Sequence, residues 1–118
     1  MRRLAFVFRS APDQAERLRD GLDAALAALA MDCSVTALFV DDGVFLLQSG
    51  QEAAGTLQKA RSAGLGALLA HGAEAFRVEQ EALAERGLAA DRLLHSPRTV
   101  DRAGLLAALR TADAVISV

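Results

Sequence analysis

Tryptophan and tyrosine are absent from this chain of 118 residues. Stacking on nucleic-acid bases would fall to its five phenylalanines, which sit in apolar runs that read as core. An excess of positive charge is missing too. Lys and Arg number 13 against 15 Asp and Glu, both signs are scattered, and the net charge is −2. That leaves no electrostatic footprint for nucleic acid, and direct binding to it is not expected. A single cysteine, Cys33, excludes an internal disulfide and fits a reducing compartment. No apolar run approaches the ~18 uncharged residues of a membrane span. Met1-Arg2-Arg3 followed by Leu4–Phe8 imitates the start of a signal peptide, but the run stops at Arg9, short of a secretory core. A cytoplasmic location without membrane attachment is therefore expected. Linkers, low-complexity tracts and internal repeats are also lacking.

What is present is an apolar chain, 53% hydrophobic, of a length that suits one domain over residues 1–118. Its organising stretch runs from Ser34 to Gly50. Val35–Val40 is a continuous apolar run rich in β-branched and aromatic residues, the pattern of a strand buried on both faces. It breaks at Asp41-Asp42-Gly43, a turn signal, since aspartate side chains bond nearby backbone and glycine accepts positive φ. A second apolar stretch, Val44–Leu47, follows.

Around it the chain reads as strand–helix repeats. Leu4–Phe8 is the first buried strand, and Ser10 and Pro12 suit the start of a helix. Leu18, Leu22, Ala25, Leu26 and Leu29 then recur at helical spacing, with Gly21 as a mark of close packing. Gln51–Ala70 reads as helix weakened by Gly55, Gly64 and Gly66, in one or two pieces, with Gly72 as its stop. Glu74–Glu79 is a third strand whose Arg77 and Glu79 suit an edge or a subunit contact better than a doubly covered interior. A short helix over Gln80–Arg86 ends at Gly87. Arg92–Ser96 is a weak fourth strand, Thr99 a cap, and Asp101–Arg110 a helix with Leu105, Leu106 and Leu109 inward. Ala114–Val118 closes the series as a fifth strand. The expected fold is α/β: a mainly parallel sheet of about five strands with helices on both faces. Ligands and partners of such sheets meet the carboxyl ends of the strands, where the Asp41–Gln48 loop falls.

The segment Asp41-Asp42-Gly43-Val44-Phe45-Leu46-Leu47, with Gly50-Gln51 beyond it, resembles the signature of the DsrF/TusC branch of the DsrE/DsrF-like sulfur-relay family. The start Leu4-Ala-Phe-Val-Phe8 with Ala11-Pro12, the segment Arg19–Ala27 and Arg86-Gly87-Leu88 are similar to the same family. The resemblance implies a hetero-oligomer, typically three related chains in two copies. In it a cysteine-bearing sister accepts persulfide sulfur and passes it on, towards wobble-uridine thiolation of tRNA in one branch and in sulfur oxidation in the other. It also implies that the sister's reactive cysteine ends the third strand. Counted back from Arg86-Gly87-Leu88, this chain has Glu79 there. A carboxylate cannot carry a sulfane sulfur; it can cap the next helix as an anion or bond a partner subunit. The implied role is that of the non-carrying subunit, with no enzymatic step and no cofactor of its own.

The residues singled out as subunit contact or pocket are Asp41, Asp42, Gly43, Phe45 and Glu79. Adjacent carboxylates at a turn point apart, and no further ligand follows Asp41 and Asp42 at metal spacing. A phosphoacceptor site needs acids after the first strand, where Arg9 and Ser10 stand. Phe45 reads equally as an anchor for a protein partner or as a lid on the sheet end. Cys33 opens its strand, away from the candidate end, and has apolar neighbours, which suits a small buried hydrophobe. His71 and His95 have no paired cysteine, so zinc is unsupported. Ser10, Ser49 and Ser96 lack a nucleophile elbow, and Gly64-Leu65-Gly66 lies inside a helical pattern. Two other classes stay open: a homo-oligomeric small-molecule binding domain with Asp41–Gln48 lining a pocket, and an enzyme using Cys33 as a thiol carrier.

Overall fold

The computed structural model describes residues 1–49 and 56–118. Five parallel strands make one sheet: β1 (Arg3–Phe8), β2 (Ser34–Phe39), β3 (Arg77–Glu79), β4 (Arg98–Val100) and β5 (Ala114–Ser117), in the order β4-β3-β2-β1-β5. The helices are α1 (Ala15–Ala30), α2 (Thr56–Ala70), α3 (Gln80–Glu85) and α4 (Arg102–Thr111). Two 3₁₀ segments, Asp41–Leu47 and Ala90–Arg92, complete the elements. Gly50, Gln51 and the expected helix start through Gly55 lie outside the described residues.

Alternation along the strands divides the core between the two faces. On one face Phe6, Phe8, Val35, Ala37, Phe39, Phe76 and Val78 pack against Leu18, Leu22 and Ala25 of α1, Leu65 and Leu68 of α2, and Ala82 and Leu83 of α3. On the other face Ala5, Val7, Leu38 and Val40 lie under Leu105, Ala108 and Leu109 of α4 and Ala112 just beyond it. The run Val35–Val40 does not alternate because both of its faces are covered. Gly21 is the expected close contact: a Cβ there would stand 2.6 Å from Val118 Cγ1.

The charged third strand sits inside the sheet rather than at an edge, between β2 and β4. Among the described residues only α4 lies on the face to which Arg77 and Glu79 turn. A ten-residue helix spans about 15 Å and leaves the rim of that face open. Arg77 pairs there with Glu74 at 3.7 Å, and Glu79 with Arg102 at 3.9 Å.

Four local expectations are corrected. The fourth strand is Arg98–Val100 rather than Arg92–Ser96, because His95 (φ 66°) and Ser96 (φ 47°) take left-handed backbone that ends any extension. Thr99 lies on that strand, and Asp101 caps α4 by accepting from the Gly104 N–H at 2.8 Å. Ser10 caps nothing; α1 begins at Ala15, and the Ser10 hydroxyl donates to the Val118 carbonyl at 3.4 Å. Leu106 turns outward, 47% exposed, one 100° step from the packed Leu105. Over the described residues α2 is one helix, and Gly72 ends it at φ 106°.

Candidate functional site

The carboxyl ends of β1, β2, β3 and β4 bring together residues far apart in sequence. The chain leaves β2 at Val40, whose N–H donates to the Phe8 carbonyl at 3.1 Å. It then folds back through the 3₁₀ segment Asp41–Leu47. The positive φ of this corner belongs to Asp41, at 49°. Gly43 is needed for a different reason than conformational freedom: its backbone lies against β1, and a Cβ would stand 1.9 Å from the Phe8 carbonyl oxygen. Val44, Leu46 and Leu47 are buried and close the end of the core, while Phe45 keeps part of its ring at the surface.

The two aspartates point apart, each to an arginine. Asp41 faces Arg9, just past β1, at 3.6 Å, with both side chains more than half exposed. Such a pair contributes ~1 kcal/mol at most. Asp42 accepts from Arg86 Nε at 3.1 Å, and the same guanidinium donates to the Ala82 carbonyl at 3.2 Å and meets Glu85 at 3.5 Å. Arg86 is the more buried partner and ties the 3₁₀ segment to α3. The turn is held by these arginines, rather than by aspartate bonds to the backbone.

Glu79 is the last residue of β3, directly before α3, the corner the resemblance assigns to it. Its side chain makes no cap hydrogen bond to α3, which corrects the capping role. The carboxylate is nine-tenths buried and pairs at 3.9 Å with Arg102, the first residue of α4. Sequence reasoning missed all three arginines as parts of this end. Arg9 was legible as the residue after β1; Arg86 and Arg102 carry no local signal, since their partners lie 44 and 23 positions away (86 − 42 and 102 − 79).

Among the described residues no group of three or more His, Cys, Asp or Glu is placed to hold a metal ion. The hollow lined by Leu46 measures about 10 Å³, room for a water at most. Larger hollows lie elsewhere: about 300 Å³ between α1 and α2, and about 360 Å³ beside Ser34, Thr36 and Glu74 at the opposite end of the strands. A small-molecule pocket built on Asp41–Gln48 has no support in this geometry. No helix among the described residues is long and apolar enough to cross a membrane.

The model of the DsrE/DsrF-like family matches residues 2–118. The chain belongs to that family. A TusC homolog of Pseudomonas aeruginosa is 38% identical over 115 residues, covering 98% of this chain and 97% of that one. Protein TusC of Escherichia coli O8 is 41% identical over 88 residues, covering 75% and 74%. These relatives put the chain on the DsrF/TusC branch. The crystal structure of the ychN protein from E. coli superposes over the whole of both chains with a TM-score of 0.83 at 19% identity. MTH1491 of Methanobacterium thermoautotrophicum, a protein of unknown function, does so at 0.75 and 20%. Both have the same fold.

Cys33 lies at the other end of the sheet, between α1 and β2, half-buried and packed on the main core. Iodoacetamide should therefore modify it in the native protein no faster than in the urea-unfolded chain. Faster native modification would revive the thiol-carrier reading.

Proposed function

We propose that this chain is the non-carrying subunit of a hetero-oligomeric sulfur-relay complex, in which a related sister chain bears the reactive cysteine. The observation that carries this reading is Glu79. It stands at the β3–α3 corner where the family resemblance expects the sister's cysteine, and a carboxylate cannot bond a sulfane sulfur. The one cysteine present is remote from that corner. The chain thus catalyses no step itself. It presents the strand-end surface of Asp41, Asp42 and Phe45 to its sisters, with Gly43 and the largely buried Glu79 shaping that end from beneath, without a cofactor, in the cytoplasm. TusC-named relatives favour service to tRNA wobble-uridine thiolation over sulfur oxidation. The assembly implied is a hexamer of three related chains in two copies.

Within that surface Phe45 is the anchor, a part-exposed ring on a segment whose other large residues are committed to the core. Buried aromatics commonly dominate such contacts. Purified from its own host, the tagged protein should bring down two small family members at equal stoichiometry, one with a readily alkylated cysteine. Phe45→Ala should weaken that association at least about tenfold, ~1.4 kcal/mol, with little change in the melting temperature of the isolated chain. Recovery of the wild-type protein alone, or only as a homo-oligomer, would end the relay reading and leave the fold standing.

A further inference from the structure

His95 sits in the 90–96 segment, which strand patterning had misread, and three observations converge on its ring. First, His95 and Ser96 both hold left-handed backbone, at φ 66° and 47°, without being glycine. Two such residues in succession persist only where surrounding contacts over-determine them. Second, those contacts are at the imidazole: Nε2 hydrogen-bonds Ser62 Oγ of α2 at 3.2 Å, and the ring meets Phe76 edge-on with centroids 6.0 Å apart. Gly66 of α2 makes the space, since a Cβ there would stand 3.3 Å from His95 Cε1. Third, the residues just before His95 are strapped to the candidate site. The Leu94 N–H donates to the Leu47 carbonyl at 2.7 Å, Leu93 bridges Gln48, and the Ser49 hydroxyl donates to the Arg92 carbonyl.

We propose that His95 is a protonation-controlled latch, closed while its ring is neutral, that holds the 90–96 segment against the end of Asp41–Leu47. The neutral ring matches Ser62 and Phe76, whereas an imidazolium in this half-buried place gains no counter-charge. Among the described residues no carboxylate pairs with it; the charged residues flanking it and its contacts in sequence are Arg61 beside Ser62 on α2, Arg77 beside Phe76, Asp91 and Arg92 on its own segment, and Arg98 at the start of β4. Burial holds the ring's pKa below its ordinary value near 6.5, and the Ser62 contact offsets this only in part. The sign follows from proton linkage. The closed state binds fewer protons than the released one, so closure is favoured above the released pKa and lost as pH falls below ~6.5. Release frees Leu47, Gln48 and Ser49 from the 92–94 backbone and so loosens the C-terminal end of the candidate surface, whichever partner that surface takes.

The test is NMR on the full chain. The His95 Cε1 resonance should titrate with a midpoint below ~6.5, and the Leu94 and Gln48 amide shifts should follow it. Corrected for intrinsic exchange, Leu94 N–H protection should fall about tenfold between roughly pH 7.5 and 5.5, while that of Phe39 in β2 stays constant. His95→Gln should abolish the pH dependence. Ser62→Ala, the second variant, removes one of the contacts that hold the ring, so loop release should move to higher pH and Leu94 N–H protection should already be reduced at neutral pH. Leu94 protection that is flat with pH, or that falls equally in His95→Gln, would overturn the latch. So would a Ser62→Ala protein in which only the ring titration moves.

Discussion

Gly43→Ala should destabilise the protein by about 4 kcal/mol, at the upper end of what a single methyl does. A Cβ at this position would stand 1.9 Å from the Phe8 carbonyl oxygen and 2.6 Å from its carbonyl carbon. The obstacle is the backbone at the end of β1, a strand paired on both sides, so no side-chain rotation relieves it. The chain must instead lift Asp41–Leu47 away from β1. That threatens the Val40 N–H bond to Phe8 and the Gly43 N–H bond to Val40, 3.1 and 2.8 Å long. It also exposes Val44, Leu46 and Leu47, each worth ~1.5–3 kcal/mol of burial when fully hidden. Partial lifting loses a fraction of that sum, hence the figure of 4. Gly72→Ala is the control, because its strain comes from φ 106° alone, with nothing within 4 Å of a Cβ. It should cost about 1 kcal/mol. Urea denaturation of both variants checks the contrast, and a Gly43→Ala protein within ~1 kcal/mol of wild type would show that the close approach to Phe8 is not real.

The comparison of these two glycines also shows where the sequence was readable. Asp-Asp-Gly after an apolar run announced a change of direction, and the direction changes there. The physical cause differed from the rule that found it: the left-handed residue is Asp41, and Gly43 is small because β1 passes beside it. Local patterns report conformation and burial, so the first two strands, α1 and the doubly covered sheet were visible in Val35–Val40 and in the Leu18–Leu29 spacing. What they cannot report is contact across tens of residues. Arg86 reaching Asp42, Arg102 reaching Glu79, and His95 docking on Ser62 and Phe76 all depend on which strands become neighbours. The misplaced fourth strand has the same origin. Leu93 is extended and does bridge Gln48, but the 3₁₀ segment Ala90–Arg92 stands before it and the docking of His95 imposes a left-handed backbone after it, so no run forms. Arg77 and Glu79 misled in the opposite sense. Charge on a strand argues for an edge only when both faces are covered along their whole length, and α4 is too short for that.

Phe39→Ala should cost about 5 kcal/mol, the largest effect expected of any single truncation in this core. Phe39 is fully buried on β2, directly before the residues that build the candidate site. Its ring stacks on Phe8 at 5.0 Å and 11°, and meets Phe76 at 5.1 Å and 54°. Phe76 in turn meets His95. The four rings form a continuous row across one face of the sheet, from β1 to the 90–96 segment. Removing Phe39 leaves a cavity whose walls cannot collapse, since Phe8 and Phe39 sit on paired strands in fixed register. Truncating a buried phenylalanine costs ~3–5 kcal/mol, and two lost ring contacts put this site at the top of that range. Phe39→Leu keeps most of the volume and should cost about 1.5 kcal/mol. A double-mutant cycle with Phe8→Leu isolates the stacking energy, expected at ~1 kcal/mol. Because Phe76 is the shared neighbour, Phe39→Ala should also reduce protection of the Leu94 N–H at neutral pH, more than that of amides in α1. Loss of stability with no change at Leu94 would mean that the row is a stack of separate pairs and that His95 is held by α2 alone.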